Sequence, residues 1–145
     1  MTIDWSPQET STHQDHVIAH VIGATVLGYF STDQALHILL DISFIWTIYV
    51  DGEMGLLQQS LAIRELPVDD ETRARLREDV RLLQEDGRAA LGLAQFTAAP
   101  VDCLITAVSF FAHGDDERRI LLEGEEAGLV IETSLVTGAV RVRVA

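Results

Sequence analysis

Apolar and polar positions change period along this chain, and the changes mark its elements. FIWTIYV, residues 44–50, is aromatic and β-branched almost throughout. That composition predicts a central strand covered on both faces, followed by a turn at Asp51-Gly52. Leu76, Val80 and Leu83 recur at helical spacing and predict a helix from Asp69 to Asp86. Asp69 or Asp70 caps it, Glu71 stands in its first turn and Gly87 ends it. Asp69–Arg73 and Glu71–Arg75 are favourable pairs four residues apart, so its charged side reads as ordinary solvated surface. A short helix within Gln58–Leu66 is stopped by Pro67.

One segment has rival readings. Residues 13–30 hold many β-branched and aromatic side chains, with Gly23 and Gly28 among them. They predict a long strand bent or bulged at a glycine. The rival is a helix from Thr12 to Ala24, which would align Val17, Val21 and Ala24. Residues 31–42 open with Ser31 and Gln34 at capping-box spacing, and Ala35, Leu36, Leu39 and Leu40 form a stripe after them. A short helix is expected there.

After Pro100 the period becomes that of strands. Four are expected, at 102–112, 118–123, 128–134 and 139–144, joined by HGDDE, EGEEA and VTG. The last reads VRVRV, with Arg141 and Arg143 on its wet face. An antiparallel meander in the second half excludes a fully doubly wound α/β fold. The expected fold is a single α+β domain over residues 13–145, after a polar leader at 1–12. A mostly antiparallel sheet of five or six strands carries one long helix and one or two short ones. Its expected core is Val26, Leu36, Leu39, Phe44, Trp46, Ile48, Leu76, Val80, Leu83, Leu104, Thr106, Val108, Phe110, Leu121, Ile131 and Val142.

Charge narrows the function classes. The chain has 145 residues, with 23 acidic and 10 basic side chains, a net charge of −13. Every basic residue is Arg, and the first is Arg64. Nucleic acid requires a basic footprint that this sequence lacks. An anionic membrane surface is disfavoured for the same reason. The most apolar stretch, Ala35–Val50, is interrupted by His37, Asp41, Ser43 and Thr47 and reads as buried core. One cysteine, Cys103, forbids an intrachain disulfide. With no secretory signal at the start, the expected location is cytoplasmic.

Candidate chemistry is sparse. Gly23–Gly28 has P-loop glycine spacing without the Lys-Ser/Thr that a P-loop requires next. There is no G-x-S-x-G and no CxxC. His13, His16 and His20 would share one face of a helix. On the expected strand His13 points away from the other two, so no metal site is expected and no cofactor is implied. His37, among Leu36, Ile38 and Leu39, reads as a satisfied core or interface residue. Asp41, between Leu40 and Ile42, reads as a helix cap or a brace for the next turn.

These features leave two function classes. The leading one is a non-catalytic cytoplasmic accessory or protein-interaction domain. FIWTIYV and DCLITAVSFF offer more apolar surface than one thin layer hides, so a small homodimer is expected. The alternative is a small-ligand binder or enzyme with a rim site made of Asp51, Glu53 and His113, with or without a divalent metal.

Overall fold

A computed structural model describes residues 4–145. In chain order the elements are β1 (Ser6–Pro7), α1 (Thr12–Val21), β2 (Val26–Thr32), β3 (Ala35–Leu40), β4 (Phe44–Tyr49) and β5 (Met54–Gln58). Then come α2 (Gln59–Glu65), α3 (Asp70–Asp86), a 3-10 turn (Gly87–Ala89) and β6 (Thr97–Ala98). β7 (Ile105–His113), β8 (Glu117–Gly124), β9 (Leu129–Ser134) and β10 (Val140–Val144) complete the chain. This is the α+β, mostly antiparallel single domain expected. Its strands divide between two five-stranded sheets, ordered β1-β7-β8-β9-β10 and β5-β4-β3-β2-β6.

Three layers result. Leu36, Ile38, Leu40, Trp46 and Ile48 face Ile105, Phe110, Ile120, Leu122 and Ile131 of the first sheet. The opposite face of the second sheet turns Phe30, Leu39 and Ile45 toward α2 and α3, which supply Ile63, Leu76, Val80 and Leu83. The second sheet is therefore buried on both sides. FIWTIYV is a central strand as expected, and β3 beside it is buried at every position.

Residues 13–30 correct the sequence reading. They are not one bent strand. The rival helix is present as α1, with Ser11 and Gln14 in a capping box. Val17 and Val21 turn into the inter-sheet core. Gly23, at φ 90°, ends this segment in a left-handed turn before β2. Residues 31–42 are a second correction, because Ala35–Leu40 is strand β3 and not a helix. Thr32 pairs with Ala35 across a tight hairpin, and Gln34 takes φ 65° in its turn. A nearly unbroken apolar run suits a strand covered on both faces, and this need overrode the local capping signal. Asp41 braces the adjoining turn, accepting the Thr25 amide at 2.9 Å.

Several expected core positions are only half-buried. A bulge between Ile105 and Ala107 shifts the inward set of β7, and Thr106 is exposed. In β8, Ile120 and Leu122 point inward, and Leu121 takes the outer face. Phe44, Leu104, Val108 and Val142 also lie partly exposed. Within the expected leader, Ser6 and Pro7 pair with Ala112 and Phe111.

Asp79 departs furthest from the solvated reading of α3. It is 1% exposed, and its carboxylate accepts the amides of Ala94, Gln95 and Phe96 at 2.6–3.1 Å. This clamp seats Phe96 edge-on against Phe30, with centroids 4.7 Å apart. Gly28 lets α3 approach β2, because a Cβ there would sit 2.9 Å from Leu83 Cδ1. Replacing Asp79 with Ala strands three amides in a buried place. We expect Asp79→Ala to lose about 3 kcal/mol of stability in urea unfolding. A loss below about 1 kcal/mol would mean that water replaces the clamp without penalty.

Candidate functional site

The three rim residues have separate local duties. Asp51 and Glu53 lie in the β4–β5 turn, where the Asp51 carboxylate accepts the Glu53 amide at 2.9 Å. Gln14 of α1 donates to the Gly52 carbonyl in the same turn. His113 ends β7. Its Nδ1 donates to the Asp4 carbonyl at 3.1 Å, and its ring lies 6.1 Å from that of Trp5. None of the three lines the cavity described below. Among the described residues, no group of three or more His, Cys, Asp or Glu side chains is arranged to hold a metal ion.

The helical form of α1 puts His13, His16 and His20 on one helix face, where the expected strand sent His13 away from the other two. His13 Nε2 donates to the Met54 carbonyl, and His20 Nδ1 donates to the His16 carbonyl. These bonds pin α1 to β5 and close its last turn.

The most developed polar site lies on the helix-facing side of the second sheet. Register sets Phe30, His37, Thr47 and Gly55 in one row across β2, β3, β4 and β5. Side chains two apart share a face, so Ala35 and Tyr49 extend it outward. α2 is too short to cover this end. Pro67 blocks its continuation and holds Leu66 extended, at ψ 138°. Arg73 fixes the corner, donating to the carbonyls of Ile63, Leu66 and Val68. Gly55 has open space where a Cβ would be. The uncovered end forms a cavity of about 270 Å³, at the small limit of ligand pockets. Tyr49 and Leu57 line it and remain 46% and 39% exposed.

His37 lies at its floor, 6% exposed. Its Nε2 meets Thr32 Oγ1 at 2.7 Å, and its Nδ1 meets Thr47 Oγ1 at 2.9 Å. Phe30 stacks on the ring at 4.7 Å. Burial pushes its pKa down to about 4, so the imidazole is neutral at pH 7. A neutral imidazole has one N–H. One threonine therefore accepts that hydrogen, and the other donates into the bare nitrogen. The accepting threonine still has its own hydroxyl hydrogen to give.

Thr32, His37 and Thr47 have the connectivity of a nucleophile, a base and an orienting group. Strength argues against that use. A base with pKa about 4 lies about three units below neutral pH and removes a hydroxyl proton poorly. Among the described residues, no Arg lines the cavity to stabilise an oxyanion. The arrangement is better suited to holding a polar group than to breaking a bond. Sequence reasoning finds in His37 a satisfied core residue and misses the cavity. The available signal is a polar residue in each of two adjacent apolar strands, His37 and Thr47.

A second feature is the free edge of the first sheet. Ser134 donates to the Ala139 carbonyl and Ala145 to the Gly128 carbonyl, which fixes the hydrogen-bonding parity of the β9–β10 ladder. Val140, Val142 and Val144 consequently turn their backbone N–H and C=O groups away from β9. Arg141 and Arg143 project from the outer face of the strand. Glu132 lies opposite Arg141 and pairs with Arg143 at 2.8 Å and Arg119 at 3.5 Å. No helix among the described residues is long and apolar enough to cross a membrane. No protein-family model, curated protein or solved structure matches the chain.

His37 makes stability depend on pH. The unfolded chain protonates residue 37 near pH 6.5, whereas the folded protein resists until about pH 4. Its contribution is whole above pH 6.5 and is lost as pH falls to 4, by about 3 kcal/mol. We expect His37→Gln, which cannot titrate, to shrink the stability difference between pH 7 and pH 4 by that amount. Urea unfolding of both proteins at both pH values checks this. An unchanged difference would show that the fold does not suppress protonation of His37.

Proposed function

We propose that this chain is a non-catalytic protein-interaction domain, and that β10 is its docking edge. The observation that carries the reading is the outward backbone of Val140, Val142 and Val144 beside Arg141 and Arg143. An extended segment can add to such an edge as a further strand, taking affinity from main-chain hydrogen bonds. Charge selects the partner. In a chain of net −13, Arg119, Arg141 and Arg143 outnumber the carboxylates of Glu132 and Glu117 beside them. An acidic extended segment of a partner protein fits that excess. A second copy fits it less well, because antiparallel pairing of β10 with itself sets arginines against arginines. The apolar runs that suggested a homodimer also have cover within the chain. FIWTIYV lies between the two cores, and one face of β7 lies against the second sheet.

The catalytic alternative has weaker support. Asp51 and Glu53 shape a turn, His113 holds the Asp4 carbonyl, and His37 is a poor base at neutral pH. A cytoplasmic setting agrees with Cys103, a buried free thiol whose pKa is raised by burial.

A fluorescent peptide of alternating valine and glutamate tests the edge. We expect saturable binding that weakens with salt and slows amide exchange at Val140, Val142 and Val144. Val142→Pro removes one outward N–H and leaves the β9 ladder intact, so it should abolish binding. Val142→Ala trims the side chain, keeps the N–H and should still bind. Equal binding by the proline variant would contradict the proposal. A sedimenting dimer lost with the same proline would assign the edge to a second copy.

A further inference from the structure

We propose that the His37 cavity is a site for a small organic cation, an ammonium group on an apolar body. The site is on a different layer from the β10 edge and stands independently of it. Its walls are chemically one-sided. Phe30, Ile45, Leu57 and Leu66 offer apolar surface, and Pro67 closes the corner. Among the described residues, the acidic side chains in the lining are Asp33 and Glu65, both exposed, the lining has no Arg, and His37 is held neutral. An anion would meet two like charges with no basic partner. A neutral molecule would gain only burial. A cation gains both burial and charge pairing, in a mouth where the Tyr49 ring adds an electron-rich face.

The floor agrees with this choice. Among the described residues, Thr32 and Thr47 make no side-chain hydrogen bond other than those to His37, so their oxygens keep lone pairs for an ammonium donor. A protonated His37 would repel that donor, and burial among Phe30 and its neighbours keeps the ring uncharged. The volume of about 270 Å³ sets the scale, sufficient for a ring or a short chain and too little for a nucleotide. Gly55 keeps the approach beside Thr47 free of a side chain.

Three probes of similar shape separate the possibilities: 2-phenylethylammonium, 3-phenylpropan-1-ol and 3-phenylpropanoate. Amide and imidazole resonances of the full chain report binding. The ammonium probe is expected to bind most tightly and to shift Thr32, His37, Thr47 and Gly55. The alcohol should bind more weakly, and the carboxylate should not bind. Asp33→Asn and Glu65→Gln alter exposed side chains, so the fold should persist. Each should weaken the ammonium probe by about five-fold, as expected for loss of one exposed ion pair, without affecting the alcohol. Gly55→Leu should block all binding, and a matching circular dichroism spectrum would show that the fold survives. The proposal is overturned if the ammonium probe does not bind at millimolar concentration. It is also overturned if the carboxylate binds as tightly, or if neither Asp33→Asn nor Glu65→Gln weakens the ammonium probe.

Discussion

The fold rests on the need to cover both faces of one sheet. β3 has no exposed position, and β4 beside it buries Ile45 on one face and Trp46 and Ile48 on the other. Such strands cannot remain at a surface, because each buried large side chain is worth about 1.5–3 kcal/mol against exposure. The first sheet covers one face and the α2–α3 pair the other. The remaining devices serve these contacts. Arg73 ties the end of α2 to α3, and Gly28 allows α3 close to β2. Asp79 draws the 94–96 segment in until Phe96 reaches Phe30.

The cover is incomplete at one end, and there the sheet changes composition. Leu39 and Ile45 meet helices, but the next row outward is Phe30, His37, Thr47 and Gly55. A row of four large apolar residues would have been an exposed patch. Instead, His37 is satisfied by Thr47 within the row and by Thr32 just beyond it, and the glycine leaves space. The cavity and the free β10 edge occupy different layers. A ligand in one and a strand on the other could be accommodated together.

Legibility in the sequence tracked the strength of the local signal. The α3 helix, the β4 strand and the C-terminal hairpins were readable because caps, turns and period agreed. The S-x-x-Q pattern shows the limit. It occurs at Ser11–Gln14, where it is a true capping box, and at Ser31–Gln34, where it lies in a hairpin. The residues downstream of each pattern distinguish the two. Asp15, His16 and His20 leave α1 two-faced, whereas ALHILL is apolar almost without a break and needs cover all round. Asp79 was legible in principle, since it falls within the Leu76–Val80–Leu83 stripe where a solvated residue does not belong. The cavity was not legible. It depends on which row of the sheet the helices fail to reach, and that is set by the tertiary position of Pro67. Asp51 and Glu53 flank the β4–β5 turn of one sheet, and His113 ends β7 of the other.

Residue-resolved hydrogen exchange of the isolated protein tests this account most directly. If the doubly covered sheet is the centre of stability and β10 a free edge, protection should fall steeply between them. Hydrogen-bonded amides of Leu36–Leu40 and Ile45–Ile48 should exchange only through global unfolding. Those of Val140, Val142 and Val144 should exchange rapidly through their exposed backbone. Rapid exchange throughout β3, or protection of the β10 edge equal to that of β3 with no partner present, would contradict it.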